Sequence, residues 1–101
     1  HKVYAAWRGY HGATAGAITL TGDPRRWAAE PGIPGVVHYF GPFTFNSAFG
    51  SKDDEEECEN ALRALKEQIM LDGPKTIAAI FVEPIVGTNG IIVPHDGWLK
   101  G

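Results

Sequence analysis

The sequence predicts an α/β fold with a mainly parallel sheet and flanking helices, and three observations predict it. Two runs, residues 2–8 and 76–82, have the composition of short strands. The second, Thr76-Ile77-Ala78-Ala79-Ile80-Phe81-Val82, is apolar almost without a break, as a strand covered on both faces would be. Helical patterns follow the first run and precede the second, and parallel strands need such crossovers.

The elements follow in order. Residues 2–8 read as a strand that empties into Gly9-Tyr10-His11-Gly12, a tight turn bracketed by two glycines. Residues 13–21 read as a helix of small residues, suited to close approach to a sheet. Its β-branched Thr14, Ile18, Thr19 and Thr21 lower its intrinsic propensity. Gly22-Asp23-Pro24 is a stop signal. Residues 23–50 read as one long loop, rich in Pro and Gly and carrying Trp27, Tyr39, Phe40, Phe43, Phe45 and Phe49. Loops of this length in a compact domain serve a site or a partner.

Residues 54–72 form the clearest helix. Cys58, Ala61, Leu62, Leu65 and Ile69 follow the spacing of one buried face. The acidic run 53–57 suits the positive end of the helix dipole and reads as a solvated helix start. Glu59 with Arg63, and Arg63 with Glu67, are spaced as i, i+4 pairs, and Gly73-Pro74 ends the helix. After the buried strand 76–82, Gly87-Thr88-Asn89-Gly90 makes a turn, Ile91-Ile92-Val93 is a short apolar run, and Asp96 is placed to cap a further helix.

The 101 residues suffice for one small domain with a modest core. A net charge of −3 is too mild to imply nucleic acid or an anionic membrane as partner, and no apolar stretch reaches the length of a spanning helix. The single cysteine, Cys58, has no partner for an internal disulfide, which suits a reducing, cytoplasmic setting. The chain opens on His1-Lys2 directly before a strand pattern and stops at Gly101, just inside a helical one. It is expected to be an internal segment of a longer protein.

Ligands of open α/β sheets bind at the carboxyl ends of strands. Two such ends here carry Tyr10 with His11, and Glu83. Tyr10 suits stacking on a planar ligand, and His11 suits donating a hydrogen bond; packing at a tight turn explains both as well. Glu83 follows a dry strand, so it either turns to solvent or is held in a cleft. The glycine spacing matches neither dinucleotide-binding nor P-loop patterns. The four histidines and Cys58 lack metal-ligand spacing, and no Gly-x-Ser-x-Gly elbow is present.

The residues themselves go further. Tyr10-His11-Gly12-Ala13-Thr14 followed by Gly22-Asp23, then Val82-Glu83-Pro84-Ile85-Val86-Gly87, Gly90-Ile91-Ile92-Val93-Pro94 and Asp96-Gly97-Trp98-Leu99, resemble class III pyridoxal-phosphate aminotransferases. Gly22-Asp23-Pro24-Arg25-Arg26-Trp27 and Pro31-Gly32-Ile33-Pro34-Gly35-Val36 look most like the omega-amino-acid and taurine:pyruvate branch. The resemblance runs the length of the chain. It implies a slice, residues 1–101, of the large domain of a fold-type-I, pyridoxal-phosphate-dependent transferase that is a homodimer when whole. The activity implied is transfer of an amino group from a small-molecule donor to a keto acid such as pyruvate.

By that resemblance Tyr10 stacks on the pyridine ring, His11 and Gly12 form the turn beside it, and Glu83 lies on the cofactor and substrate side. Ala13 stands where the acetylornithine and ornithine branches carry an Arg. Phe43 and Asn46 stand where related sequences often carry Tyr and Arg. The family's Schiff-base lysine and the aspartate on the ring nitrogen are expected beyond Gly101, and its phosphate-binding turn before His1. Lys52, Lys66, Lys75 and Lys100 match no catalytic motif, so this stretch alone is expected to be inactive. The competing reading is a non-catalytic α/β interaction or scaffold segment, to which the aromatic loop would belong.

Overall fold

The structure is a computed structural model, and it describes every residue of the chain except Thr88. Three strands, β1 (Lys2–Ala6), β2 (Val36–Tyr39) and β3 (Ile77–Phe81), form one parallel sheet in the order β2-β1-β3. Helix α1 (Ala15–Leu20) lies between β1 and β2 in the chain, α2 (Asp54–Asp72) lies between β2 and β3, and α3 (Gly97–Lys100) comes last.

The two-residue period of β1 explains the layering. Tyr4 and Ala6 point to the α2 side with Val37 and Tyr39 of β2, where they meet Cys58, Ala61, Leu62, Leu65 and Ile69. Tyr4, Tyr39 and Ala61 are almost wholly buried, and Trp98 of α3 completes the cluster. The Tyr4 hydroxyl donates to the Asp72 carboxylate, and the Tyr39 hydroxyl donates to the Phe81 carbonyl at 2.9 Å. Burial raises both phenols to a pKa of about 12, with the Asp72 hydrogen bond adding to the rise at Tyr4. On the opposite face, Trp7 stacks on His38 at 4.6 Å, and His38 Nε2 lies 3.1 Å from the Leu20 carbonyl.

Helix α2 has the bounds and the apolar face its periodicity predicts. Asp53 caps it by accepting from the Glu56 N–H at 2.8 Å. Its acidic start is not uniformly solvated, however. Glu57 is 1% exposed, and it accepts from the Ser47 hydroxyl and, at 3.3 Å, from the Phe43 N–H. A buried carboxylate needs such donors, so Glu57 ties the aromatic loop to the helix. Arg63 donates to Asn60 at 2.9 Å rather than pairing with Glu59 or Glu67.

Other expectations are corrected. Residues 23–50 are not one loop: they hold a 3₁₀ turn at Pro24–Ala29, strand β2, and a second 3₁₀ turn at Thr44–Asn46. Strand β2 has only four residues and follows a proline- and glycine-rich stretch that hides it from composition. The first strand ends at Ala6 and the first helix shrinks to six residues, as its β-branched content favours. Strand β3 is not buried, and Phe81 is 42% exposed. It pairs along one edge with β1, and among the described residues no layer covers its outer positions. Asp96 makes no capping bond; the Gly97 N–H is taken at 3.1 Å by His95 Nδ1.

Candidate active site

A cleft of about 340 Å³ opens at the carboxyl ends of all three strands. Trp7, just after β1, Tyr39 of β2 and Phe81 of β3 reach it, and Arg8, His11, Asp23 and Glu83 line it with charged or ionisable groups. Such clefts fall within the size range of small-molecule sites.

The turn after β1 is built by backbone contact. The Gly9 N–H donates to the Ala6 carbonyl at 3.0 Å, and the Gly9 carbonyl accepts from Gly22 at 2.9 Å and Asp23 at 3.3 Å. A Cβ at position 22 would lie 2.1 Å from the Trp7 carbonyl oxygen, so only glycine lets the chain return this close to β1. Gly12 takes φ +121°, also a glycine conformation. The His11 N–H donates to Thr21 Oγ1 at 3.1 Å, and its ring meets Phe81 edge-on with centroids 5.9 Å apart.

Glu83 joins the second strand end to the first. Its Oε1 accepts the Tyr10 N–H at 2.9 Å, and its Oε2 accepts the Gly87 N–H at 3.3 Å. The carboxylate is therefore held in the cleft and not left to solvent. Of the sequence-predicted residues, His11 and Glu83 line the cleft. Tyr10 is joined to Glu83 through its backbone, and Gly12 sits in the turn behind; neither lines the cleft wall.

Sequence reasoning missed Arg25 and gave Asp23 only a helix-stop role. The Arg25 guanidinium carbon lies 3.8 Å from the centroid of the Tyr10 ring. Arg25 Nε and Nη2 donate to Asp23 Oδ1 and Oδ2 at 2.7 and 3.0 Å, and the Arg25 N–H also donates to Oδ1 at 2.8 Å. These bonds hold the Asp23 carboxyl down at a pKa of about 2 and raise that of Arg25. The Asp-x-Arg spacing behind a glycine was the one available signal. No lysine among the described residues lines the cleft; Lys2, the lysine of β1, donates to the Asp72 carbonyl and Thr76 Oγ1 on the far side of the strand.

A parallel sheet with its cleft at the carboxyl edge places this chain among α/β proteins that bind ligands at that edge, and sequence comparison gives the family. The aminotransferase class-III profile matches residues 1–101, and the chain belongs to that family. It is similar to putrescine–pyruvate aminotransferase of Pseudomonas aeruginosa, 35% identical over an alignment of 97 residues that covers 93% of this chain and 21% of that protein. Acetylornithine aminotransferase of Mycobacterium leprae is 33% identical over 98 residues, 97% of this chain and 19% of its own length. Among solved structures, taurine:2-oxoglutarate aminotransferase of Bifidobacterium kashiwanohense, in complex with PLP and glutamate, superposes with a TM-score of 0.89 at 38% identity. That match covers 98% of this chain and 23% of that one. An omega-aminotransferase of Paracoccus denitrificans gives 0.87 at 29% identity, over 98% of this chain and 22% of that one. The chain thus spans about a fifth of the length of the curated relatives it matches, and its fold is a piece of the pyridoxal-phosphate-dependent transaminase fold.

Proposed function

We propose that the chain is part of a pyridoxal-phosphate-dependent aminotransferase that moves an amino group from an amine or omega-amino acid to a keto acid such as pyruvate. The observation that carries this reading is the hydrogen bond from the Tyr10 N–H to Glu83, which unites two strand ends at the ligand edge of a class-III aminotransferase sheet. The residues present suit a flat pyridine. Tyr10 offers a half-buried aromatic ring, and the glycine turn allows close approach.

Tyr10, His11, Gly12 and Glu83 would hold the cofactor. Once bound, pyridoxal phosphate supplies an electron sink for the charge that develops beside the substrate nitrogen. The chain's own part is positional. Tyr10 gives the ring a stacking face. His11, edge-on to Phe81, would line the wall against which the cofactor sits. Glu83 registers the segment after β3 to the turn that carries Tyr10. Ala13, in place of an arginine, argues against the acetylornithine and ornithine branches, and the putrescine and taurine enzymes among the relatives support an amine or omega-amino donor. A homodimer of the whole protein would cover Phe45, which is 94% exposed, and a cytoplasmic setting suits the buried free thiol of Cys58. Among the described residues, no helix is long and apolar enough to cross a membrane.

The test is made on the full-length protein. It should retain pyridoxal phosphate through gel filtration and form alanine from pyruvate with putrescine or taurine as donor. Residues 1–101 alone should show no turnover, because no lysine among the described residues lines the cleft. A full-length protein that neither retains the cofactor nor aminates pyruvate or 2-oxoglutarate would overturn the proposal.

A further inference from the structure

The backbone of Tyr10 is tied down by Glu83 and by its neighbours in the turn, but those bonds do not fix its side chain. The ring direction depends on what touches the ring. One face is covered by Arg25, whose guanidinium carbon sits 3.8 Å from the ring centroid. Arg25 is not itself a loose surface cation. Its fork meets both oxygens of Asp23, and its own N–H meets the same carboxylate. Asp23 is 7% exposed, and its N–H donates to the Gly9 carbonyl, the residue just before Tyr10. A closed path therefore runs from the turn through Asp23 and Arg25 and back onto the ring that the turn carries.

We infer that Arg25, braced by Asp23, is a positioning residue that sets the direction of the Tyr10 ring for the cofactor, an inference that rests on the proposed role of Tyr10. A guanidinium is suited to this task. It is planar, so it can lie flat on the ring, and forked, so Asp23 can fix its plane. A lysine could supply the charge but neither the plane nor the fork. Arg25 acts through Tyr10 and does not touch the reacting atoms.

The experiment measures the dissociation constant of pyridoxal phosphate from the full-length protein by tryptophan fluorescence. Wild type is compared with Arg25→Gln, Arg25→Lys, Tyr10→Ala and the Arg25→Gln/Tyr10→Ala double variant. Arg25→Gln is expected to weaken binding about fivefold, the loss of a partly exposed cation–π contact. Arg25→Lys should fold if the glutamine variant does not, and should recover less than half of the loss. In the Tyr10→Ala background, Arg25→Gln should change affinity by less than about twofold, since the ring it acts through is gone. An equal effect of Arg25→Gln in both backgrounds overturns the inference, as does wild-type affinity in both Arg25 single variants. Wild-type affinity in Tyr10→Ala instead overturns the reading of Tyr10, and the inference falls with it.

Discussion

The two turns at the ligand edge are built in opposite ways. The turn after β1 is made by its own backbone. Gly9 and Gly22 are buried against each other, three backbone hydrogen bonds cross between or beside them, and any side chain at position 22 would strike the Trp7 carbonyl. The segment after β3 is open. Ile85 and Ile91 are exposed, Ile91 takes φ 52°, uncommon for a β-branched residue, and among the described residues the segment pairs with itself through the Val86–Ile92 bridge and through the Gly87 carbonyl, which accepts from the Gly90 and Ile91 N–H groups. Its position is borrowed from the first turn. Glu83 accepts from Tyr10, and Asn89 donates to the Arg8 carbonyl. One end, built by its own backbone, thus carries Tyr10 and His11, and a second, more open end is registered to it by side chains.

The largest expected effect breaks the backbone-built end. Gly22→Ala would set a methyl on the backbone of β1 and should cost about 3 kcal/mol or more in thermal unfolding, because backbone cannot yield as a side chain does. An unchanged melting temperature would show that the close approach is not needed.

A smaller effect uncouples the two ends. Glu83→Ala leaves the Tyr10 and Gly87 N–H groups without their acceptor and should cost about 1–3 kcal/mol. Hydrogen exchange should quicken at both amides while the Gly9 and Gly22 amides keep their protection. Equal loosening of all four would mean that the first turn also leans on Glu83.

The smallest effect concerns acid. Asp23 titrates at about 2 instead of 3.8, because Arg25 hydrogen-bonds its charged form. A depressed carboxyl contributes stability that is complete above the ordinary carboxylate range and fades as pH falls through the folded value. The Asp23–Arg25 brace should therefore persist to about pH 3 and be half lost near pH 2, which carbon NMR of the Asp23 carboxyl would follow. Replacing Arg25 with Gln should return the midpoint toward 3.8.

What could be read from residues alone divides along the same line. Helix α2 was legible because its apolar spacing, its Asp53 cap and its Gly73 stop agree. The strand ends and their Tyr10, His11 and Glu83 were legible because glycines and Glu-Pro punctuate apolar runs. Strand β2 was not, since four residues between Gly35 and Phe40 leave no periodicity to detect. The burial of Glu57 and the stacking of Arg25 on Tyr10 escaped for a different reason. Both are contacts between segments, set by how loops fold back, and local pattern carries no record of them. The exposure of β3 follows likewise from what covers a strand and not from what it is made of.

The central claim is that Tyr10, presented by the backbone-built turn, is the stacking face of the cofactor site. Its most direct test is the affinity of the full-length protein for pyridoxal phosphate in a Tyr10 series. Tyr10→Phe keeps the aromatic face and should stay within about threefold of wild type, whereas Tyr10→Ala should weaken binding by about tenfold or more and slow amino transfer. Wild-type affinity and rate in Tyr10→Ala would contradict the account and reduce Tyr10 to a packing residue at a tight turn.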